Sequence, residues 1–176
     1  MSYIHCLPEI TLQGYIGDSP DKLWLELFSD ADLASDKDNR KSTSGIFLVL
    51  RGPNSFFPIQ AISKKQGCVA YSTPEAELVA ANAALRMVGL PALDFWETVL
   101  GRKVLMILNE DNETAITVIR SGKNSTMRHM QRTQDVCAKW LTNIFSRFYD
   151  VLFLRHCPSP DMCADLITKP VTNSWF

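Results

Sequence analysis

Apolar residues are concentrated in five short runs, each of a length typical of a β-strand. The runs cover residues 23–29, 43–50, 56–63, 103–109 and 150–155. Gly52-Pro53-Asn54 separates the second run from the third and predicts a hairpin turn. Pro58 has no amide hydrogen to donate within a sheet, so it predicts that the third strand lies at an edge or begins late. The fourth run is apolar at nearly every position, which predicts a strand buried on both faces.

Helix signals fill the rest of the chain after the third strand. Ser72-Thr73-Pro74-Glu75 predicts a helix start, because it offers a capping hydroxyl, a proline for the first turn and an acid near the positive helix end. The alanine-rich helix that follows is predicted to run to about Val88, where Gly89 and Pro91 end it. Further helices are predicted at 92–100, 113–121, 127–148 and 162–168. The order βββ-α-α-β-α-α-β-α predicts an α/β fold in which helices flank a mixed sheet.

Composition and charge narrow the classes of function. The 176 residues are 46% hydrophobic, enough for one domain with its own core and no stabilising disulfide. The longest apolar runs are five residues, so we expect no membrane span, and no signal-peptide pattern opens the sequence. The net charge of −1 argues against a simple polycationic nucleic-acid binder, but an acidic cluster and a basic surface would cancel in that sum.

The cysteines indicate a reducing compartment. There are five of them, an odd number, and none forms a C-x-x-C pair. His156, Cys157 and Cys163 could form part of a zinc site, but their spacing matches no common ligand pattern. We therefore expect small, buried thiols.

Four acids fall at predicted strand ends or on the adjoining helix turns. They are Asp30 after the first strand, Glu77 in the alanine-rich helix, Asp111 after the fourth strand and Asp165 in the last helix. Any one of them could be an ordinary solvated acid. Four carboxylates from separate elements could converge only in a folded site, where they would repel one another unless cations lay between them. Such oxygen ligands suit Mg²⁺ or Mn²⁺, and two such ions about 3.5–4 Å apart are the arrangement that cleaves phosphodiesters.

Six short motifs occur in the order of a known family. They are Ser29-Asp30-Ala31-Asp32, Lys41-Ser42-Thr43-Ser44-Gly45, Ser63-Lys64-Lys65-Gln66, Ser72-Thr73-Pro74-Glu75-Ala76-Glu77, Glu110-Asp111-Asn112 and Ala164-Asp165-Leu166-Ile167-Thr168-Lys169-Pro170. This series resembles the ribonuclease H domain of copia-type LTR-retrotransposon polyproteins. The resemblance implies a ribonuclease H-like fold, a five-stranded mixed sheet (βββ-α-β-α-β-α) flanked by helices. It also implies a lead-in from the preceding polyprotein region at 1–20, the ribonuclease H domain at 21–170 and a tail at 171–176.

The activity that this resemblance implies is cleavage of the RNA strand of RNA–DNA hybrids during reverse transcription, leaving 5′-phosphate ends. The family's catalytic, metal-binding carboxylates match Asp30, Glu77, Asp111 and Asp165. By implication they hold two Mg²⁺ ions, replaceable by Mn²⁺, and Asp30 lies between the two. Nearby acids compete for these roles, and only the motif match decides against Asp32, Glu75, Glu110, Glu113 and Asp161. As an extra acid beside the site, Glu110 could strengthen cation binding or face solvent, and we expect it to face solvent.

A basic segment is the candidate surface for the phosphate backbone. Residues 120–147 contain six lysines and arginines against one acid, Asp135. The nucleic-acid-binding candidates are Arg128, His129, Arg132 and Lys139 in this segment, with Lys64 and Lys65 as further ones. For each of them a solvated surface position is nearly as good an interpretation. His156, in a predicted loop, is a candidate for proton transfer, with an ordinary loop or strand-end histidine as the alternative.

Two other functions stay open at this point. One is a weak or inactive ribonuclease H-like module that binds hybrid or supports a neighbouring reverse transcriptase, although inactive copies usually lose a carboxylate and here all four are filled. The other is a different nuclease or transposase of the same fold, which typically carries its glutamate late in the chain rather than in the first long helix. The resemblance further implies the reverse transcriptase of the same polyprotein as partner, and a cytoplasmic location within virus-like particles.

Overall fold

A five-stranded mixed sheet forms the centre of the fold. The computed structural model describes residues 13–36, 38–123 and 132–169, with the backbone alone for 132–136. The strands are β1 (Trp24–Asp32), β2 (Thr43–Gly52), β3 (Ser55–Lys65), β4 (Met106–Glu110) and β5 (Leu152–His156). Their order across the sheet is β3-β2-β1-β4-β5. The first three form an antiparallel meander, and β4 and β5 run parallel to β1. The five predicted strands and the edge position of β3 are confirmed.

The helices are assigned in chain order. They are α1 (Thr73–Ala84), α2 (Leu90–Leu100), α3 (Glu113–Ser121), α4 (Arg132–Arg147) and α5 (Asp165–Thr168), with short 3₁₀ turns at Pro20–Lys22 and Ser159–Asp161. Gly122 ends α3 in the left-handed conformation, with φ of 63°, as the sequence predicts. The predicted first turn of the helix at 127–148 lies outside the described residues.

The predicted break at Gly89 and Pro91 is wrong. A π-helical turn, Leu85–Gly89, joins α1 to α2 without interruption, and the Leu90 amide donates to the carbonyl of Leu85, five residues back. A proline inside a regular helix removes one hydrogen bond and its ring crowds the carbonyl four residues earlier. The wider π turn directly before Pro91 changes this local geometry, so that the helix can continue.

One face of the sheet packs against α1 and α4 and forms the main core. Alternate residues of the central strands point into it, and all are buried: Leu25, Leu27, Ile46, Leu48, Leu50, Met106 and Leu108. The small side chains of α1 allow the helix to lie close to β1 and β2. The helix from Thr73 to Leu100 is long and apolar enough to cross a membrane, but half of its most apolar stretch is buried inside the fold. Packing in the core accounts for its composition.

The other face of the sheet carries a smaller apolar cluster beneath the end of the chain. Phe28 and Val49 pack there with Met162 and Ala164, two residues of the segment that leads into α5. Gly45 on β2 lies directly under the start of α5, because an added Cβ would be only 2.6 Å from the Ala164 carbonyl oxygen. This packing holds α5 against the end of the sheet where β1 finishes.

The residues ahead of β1 are attached to the β2–β3 hairpin. Tyr15 forms an antiparallel bridge with Phe56. Asp18 accepts hydrogen bonds from the Asn54 amide at 2.7 Å and from the Ser55 hydroxyl at 2.6 Å. The division of the chain at residues 20 and 170 stays a prediction.

Candidate active site

Three carboxylates meet at the ends of two parallel strands. Asp30 lies near the end of β1, Asp111 directly follows β4, and Glu77 lies in the second turn of α1. One oxygen atom from each lies within 4.8 Å of the others. Because β1 and β4 are parallel neighbours, their carboxyl ends share one edge of the sheet, where sites of α/β proteins form. The structure therefore brings together three of the four predicted acids.

Burial and mutual repulsion act on this cluster. Glu77 is only 2% exposed, and burial, followed by the charges of Glu110 and Asp30, raises the pKa of its carboxyl well above the usual value. Burial also raises the pKa of Asp30, which is 6% exposed. Among the described residues, Glu77 Oε2 is buried without a hydrogen-bond partner. Hard oxygen donors with an unused lone pair and no counter-ion are what a divalent cation requires, so these residues fit a bound metal ion.

Asp165, the fourth predicted acid, lies at the rim. It lines the same pocket of about 270 Å³ as the other three, together with Asp32 and Thr168. It does not belong to the group whose oxygens lie within 4.8 Å of one another. Instead, its Oδ1 and Oδ2 lie 2.6 and 2.8 Å from the ammonium nitrogen of Lys169.

Neighbouring donors orient the acids. The Thr168 hydroxyl donates to Asp30 Oδ2 at 2.6 Å, and the Ser159 hydroxyl donates to Asp111 Oδ2 at 3.1 Å. The amide of Ala31 bonds Glu77. Sequence reasoning missed Thr168 and Ser159 as supporting residues. The signal for Thr168 was its position three residues after Asp165, which places the two on one side of a helical turn.

Glu110 does not face solvent, so that expectation is wrong. It is completely buried, accepts a hydrogen bond from the Ser29 hydroxyl at 3.1 Å, and lies 3.3 Å from the Asn112 amide nitrogen. Burial, and then the charge of Asp111, raises the pKa of its carboxyl. The physical reason is the central position of β4, whose last residues are covered on both faces. The cluster thus has another buried acid beside it.

The other competing acids have different surroundings. Glu75 is buried but accepts the Tyr71 amide at 2.8 Å, which stabilises the start of α1. Glu113 and Asp161 are exposed, in the first turn of α3 and in the 3₁₀ turn before α5. Only Asp32 also lines the pocket of the carboxylates.

The predicted nucleic-acid contacts are placed in part. Lys64 and Lys65 are exposed at the end of β3, where Lys65 forms an ion pair with Asp36, and Lys139 is exposed on α4. Arg128 and His129 lie outside the described residues, and only the backbone of Arg132 is described.

His156 is the last residue of β5, opposite Glu110, and does not lie in a loop as predicted. The fifth strand runs one residue further than its apolar pattern indicates, because pairing with β4 continues through it. Its side chain is exposed and lines a cleft on the second face of the sheet rather than the pocket of the carboxylates. The role in proton transfer stays a prediction.

The thiols are consistent with the structural interpretation. Cys157 is buried, whereas Cys68, Cys137 and Cys163 are half-buried, and none of these four forms a disulfide. Within the described ranges, the acidic cluster is the only group of side chains close enough to hold a metal ion.

Glu26, on the same sheet, is a buried carboxylate that has basic partners. Although buried, it accepts hydrogen bonds from Trp24 Nε1 at 3.1 Å and from Arg155 Nη2 at 3.0 Å, and Arg51 Nε lies 3.6 Å away. In the part of the chain that the structure describes, no lysine or arginine forms such a pair with the three clustered acids. The contrast separates an ion pair that is complete within the chain from a cluster of acids that could hold an external cation.

Comparison with known proteins identifies one relative at the level of sequence. No protein-family model matches the chain. It is 32% identical over 154 residues to the retrovirus-related Pol polyprotein from transposon TNT 1-94 of Nicotiana tabacum. The match covers 86% of this chain and 11% of the polyprotein, so the chain spans about a ninth of the relative's length.

Solved structures establish the fold. LC11-RNase H1, isolated from compost, superposes with a TM-score of 0.56 at 15% identity, over 82% of this chain and 91% of that one. The protease-reverse transcriptase of prototype foamy virus gives a TM-score of 0.52 at 12% identity, over 93% of this chain and 23% of that one. At identities this low, the superpositions establish the fold alone. They confirm the ribonuclease H fold that the sequence predicts.

We expect Glu77→Gln to stabilise the cation-free protein. A folded-state pKa above the usual 4.5 means that Glu77 contributes stability below about pH 4.5 and loses it as the pH rises toward the raised value. In EDTA, the variant should therefore exceed wild type in unfolding free energy at pH 8 by at least about 1.4 kcal/mol, the equivalent of one pKa unit. Urea unfolding at pH 5 and pH 8 measures this difference. A gap that does not grow with pH would contradict the assignment.

We expect Gly45→Ala to destabilise the fold by about 1–3 kcal/mol, the range for an overpacked contact. Its Cβ would lie 2.6 Å from both the Ala164 carbonyl oxygen and Thr168 Cγ2, so α5 would have to move away from β2. The stabilisation of the protein by Mn²⁺ should fall as well, because Thr168 would no longer hold Asp30. Gly67→Ala is the matched control, since no atom lies within 4 Å of its added Cβ. Equal unfolding midpoints for the two variants would refute this packing argument.

Proposed function

Since the chain belongs to the retrovirus-related Pol polyproteins of transposons, as a segment with the ribonuclease H fold, we propose that it hydrolyses the RNA strand of RNA–DNA hybrids. The observation that carries this proposal is the meeting of Asp30, Glu77 and Asp111 within 4.8 Å, with Asp165 on the rim of the same pocket. A structural neighbour of this chain, LC11-RNase H1, has been solved in complex with an RNA/DNA hybrid. That complex supports a hybrid as the substrate.

The four acids would hold two divalent cations, Mg²⁺ or, as a substitute, Mn²⁺. The fit rests on the oxygen-only donor set and on the unpartnered oxygen of Glu77. When bound, such ions lower the pKa of a coordinated water and neutralise charge on the phosphate under attack. Asp30 belongs to the cluster with Glu77 and Asp111 and lines one pocket with Asp165. We therefore propose Asp30 as the acid that would take part in holding both ions.

The chain's own residues supply preorganisation. Thr168 and Ser159 fix the carboxylates of Asp30 and Asp111, so these oxygens need not reorient when a phosphate arrives. The buried position of Glu77 strengthens its interaction with any cation, because few waters screen it. Rigid strand ends carry two of the acids, which keeps their separation constant.

Exposed basic residues would hold the phosphate backbone. Lys64 and Lys139 are exposed on β3 and α4, and we propose them as contacts together with Lys65 and the basic residues at 128–132. Discrimination for RNA requires contacts to 2′-hydroxyl groups across the wide minor groove of a hybrid. The relative's polyprotein nature and the protease-reverse transcriptase among the structural neighbours support a reverse transcriptase of the same polyprotein as partner. As the place of action we propose virus-like particles in the cytoplasm.

A cleavage assay tests the proposal directly. End-labelled RNA–DNA hybrid, RNA duplex and DNA duplex are incubated with the protein and Mg²⁺ or Mn²⁺. We expect cutting of the RNA strand of the hybrid alone, with 5′-phosphate products and none in EDTA. Equal cutting of all three duplexes would indicate a different nuclease. Binding of the hybrid without cutting would favour an inactive module that supports a reverse transcriptase.

We expect Asp111→Asn to lower the cleavage rate by more than about 100-fold, beyond the range for residues that only orient a ligand. The amide keeps the shape of the side chain and removes the charge that a cation needs. Asp150→Asn is the control, because Asp150 is an exposed acid paired with Lys103 at the other end of β4 and β5. Hybrid binding should persist in both variants. Unchanged cleavage by Asp111→Asn would show that the metal-binding assignment is wrong.

A further inference from the structure

Lys169 forms an ion pair with Asp165, one of the acids that the proposed reaction needs. Its ammonium nitrogen lies 2.6 and 2.8 Å from the two oxygens of Asp165, so both oxygens face the same cation. Among the described residues that line the pocket of the carboxylates, Lys169 is also the only one with a basic side chain. The cluster of three acids in the same pocket has no comparable partner within the described ranges.

Thr168 and Lys169, at the end of α5, each hold one acid of the pocket, but a cation can displace only one of them easily. Thr168 is 6% exposed, and its neutral hydroxyl keeps Asp30 in place without competing for charge. The Lys169 side chain is 54% exposed, on a flexible four-carbon stem. Exposed ion pairs contribute little free energy, so a divalent cation can displace this ammonium at small cost.

We propose that Lys169 is the exchangeable counter-ion of Asp165: it holds this carboxylate in the cation-free protein, yields it to an incoming divalent cation, and then pairs with a phosphate of the substrate. The first part concerns the acids alone, and the second part rests on the proposed function. Within the described residues, Asp30, Glu77 and Asp111 form no ion pair with an ammonium that a cation would have to displace. The cation position that includes Asp165 should therefore fill after the position formed by these three acids.

The chemistry of lysine suits this exchange. An arginine would bind a carboxylate through two parallel hydrogen bonds and hold it more firmly. A lysine is a point charge that can turn from one oxygen atom to another. Once released, it remains within the pocket where a phosphate must lie for hydrolysis, and there it would add one positive charge to an otherwise acidic lining.

Direct Mn²⁺ titration, followed by the electron paramagnetic resonance signal of free Mn²⁺, tests the first part without any cleavage. We compare wild type with Lys169→Met, Lys169→Arg and the control Lys103→Met, which removes an exposed lysine 2.6 Å from Asp150 at the opposite end of the sheet. In Lys169→Met the weaker Mn²⁺ site should tighten by about twofold to fivefold, the range expected for losing an exposed ion pair. The stronger site should change less, Lys169→Arg should show no gain, and the control should match wild type.

Two results of this titration would overturn the exchange. If Lys169→Met binds Mn²⁺ in the same number and with the same affinities as wild type, Lys169 does not compete for Asp165. If both Mn²⁺ affinities rise by the same factor, the lysine acts only through its charge at a distance. Both results are independent of whether the protein cleaves a hybrid.

Salt dependence of hybrid binding tests the second part. With Ca²⁺ present, a hard cation that carboxylates also bind, Lys169→Met should reduce the slope of log K against log salt by about one unit relative to wild type. In EDTA the slopes should agree, because the ammonium is then paired with Asp165. Equal slopes in Ca²⁺ would exclude the phosphate contact. If wild type fails to bind hybrid at all, the proposed function is wrong, while the Mn²⁺ result still decides the exchange.

Discussion

Repulsion between buried carboxylates is the constraint that the rest of this structure has to satisfy. Asp30, Glu77 and Asp111 come from two strand ends and a helix, and one oxygen of each lies within 4.8 Å of the others, with Asp30 and Glu77 buried and Asp111 half-buried. Without a cation, the folded state must hold these acids together. Burial first, and then the neighbouring negative charges, raise the pKas of Asp30 and Glu77. The stability for this comes from the apolar core on the opposite face of β1 and from the fixed register of its pairing with β4.

Buried carboxylates of this sheet are found in two kinds of surroundings, one with basic partners from the chain and one without. Glu26 has internal partners, Arg155 and Trp24, so its environment is complete within the chain. The clustered acids are left for an external cation, and Asp165 lies between these cases because its partner is an exposed lysine. A graded set of this kind, from permanently paired to unpaired, allows one edge of a sheet to remain folded with or without metal ions.

The net charge of −1 is a sum of parts with separate roles. Acids are concentrated at the carboxyl ends of β1 and β4, while exposed lysines lie on β3 and α4. The charges of the acidic cluster and of these exposed lysines, to which we assign the cations and the phosphates in the proposed function, therefore cancel in the total. For a protein of this design, the distribution of charge indicates the ligand and the total does not.

The sequence by itself determined the five strands, the edge position of β3 and the identity of the clustered acids, because strand patterns and short motifs are local properties. Only the tertiary structure decided that Glu110 is buried, since this depends on neighbours that cover β4 from both sides. Likewise, Pro91 does not end its helix, because a π turn comes directly before it. Residue propensities do not predict such a turn. Gly45 and Thr168 acquire their roles only where α5 packs against β2, more than a hundred residues away along the chain. Contacts between residues so far apart in the sequence leave no periodic pattern in it. The residue patterns therefore identify the reactive groups, and only the packing determines the distances between them.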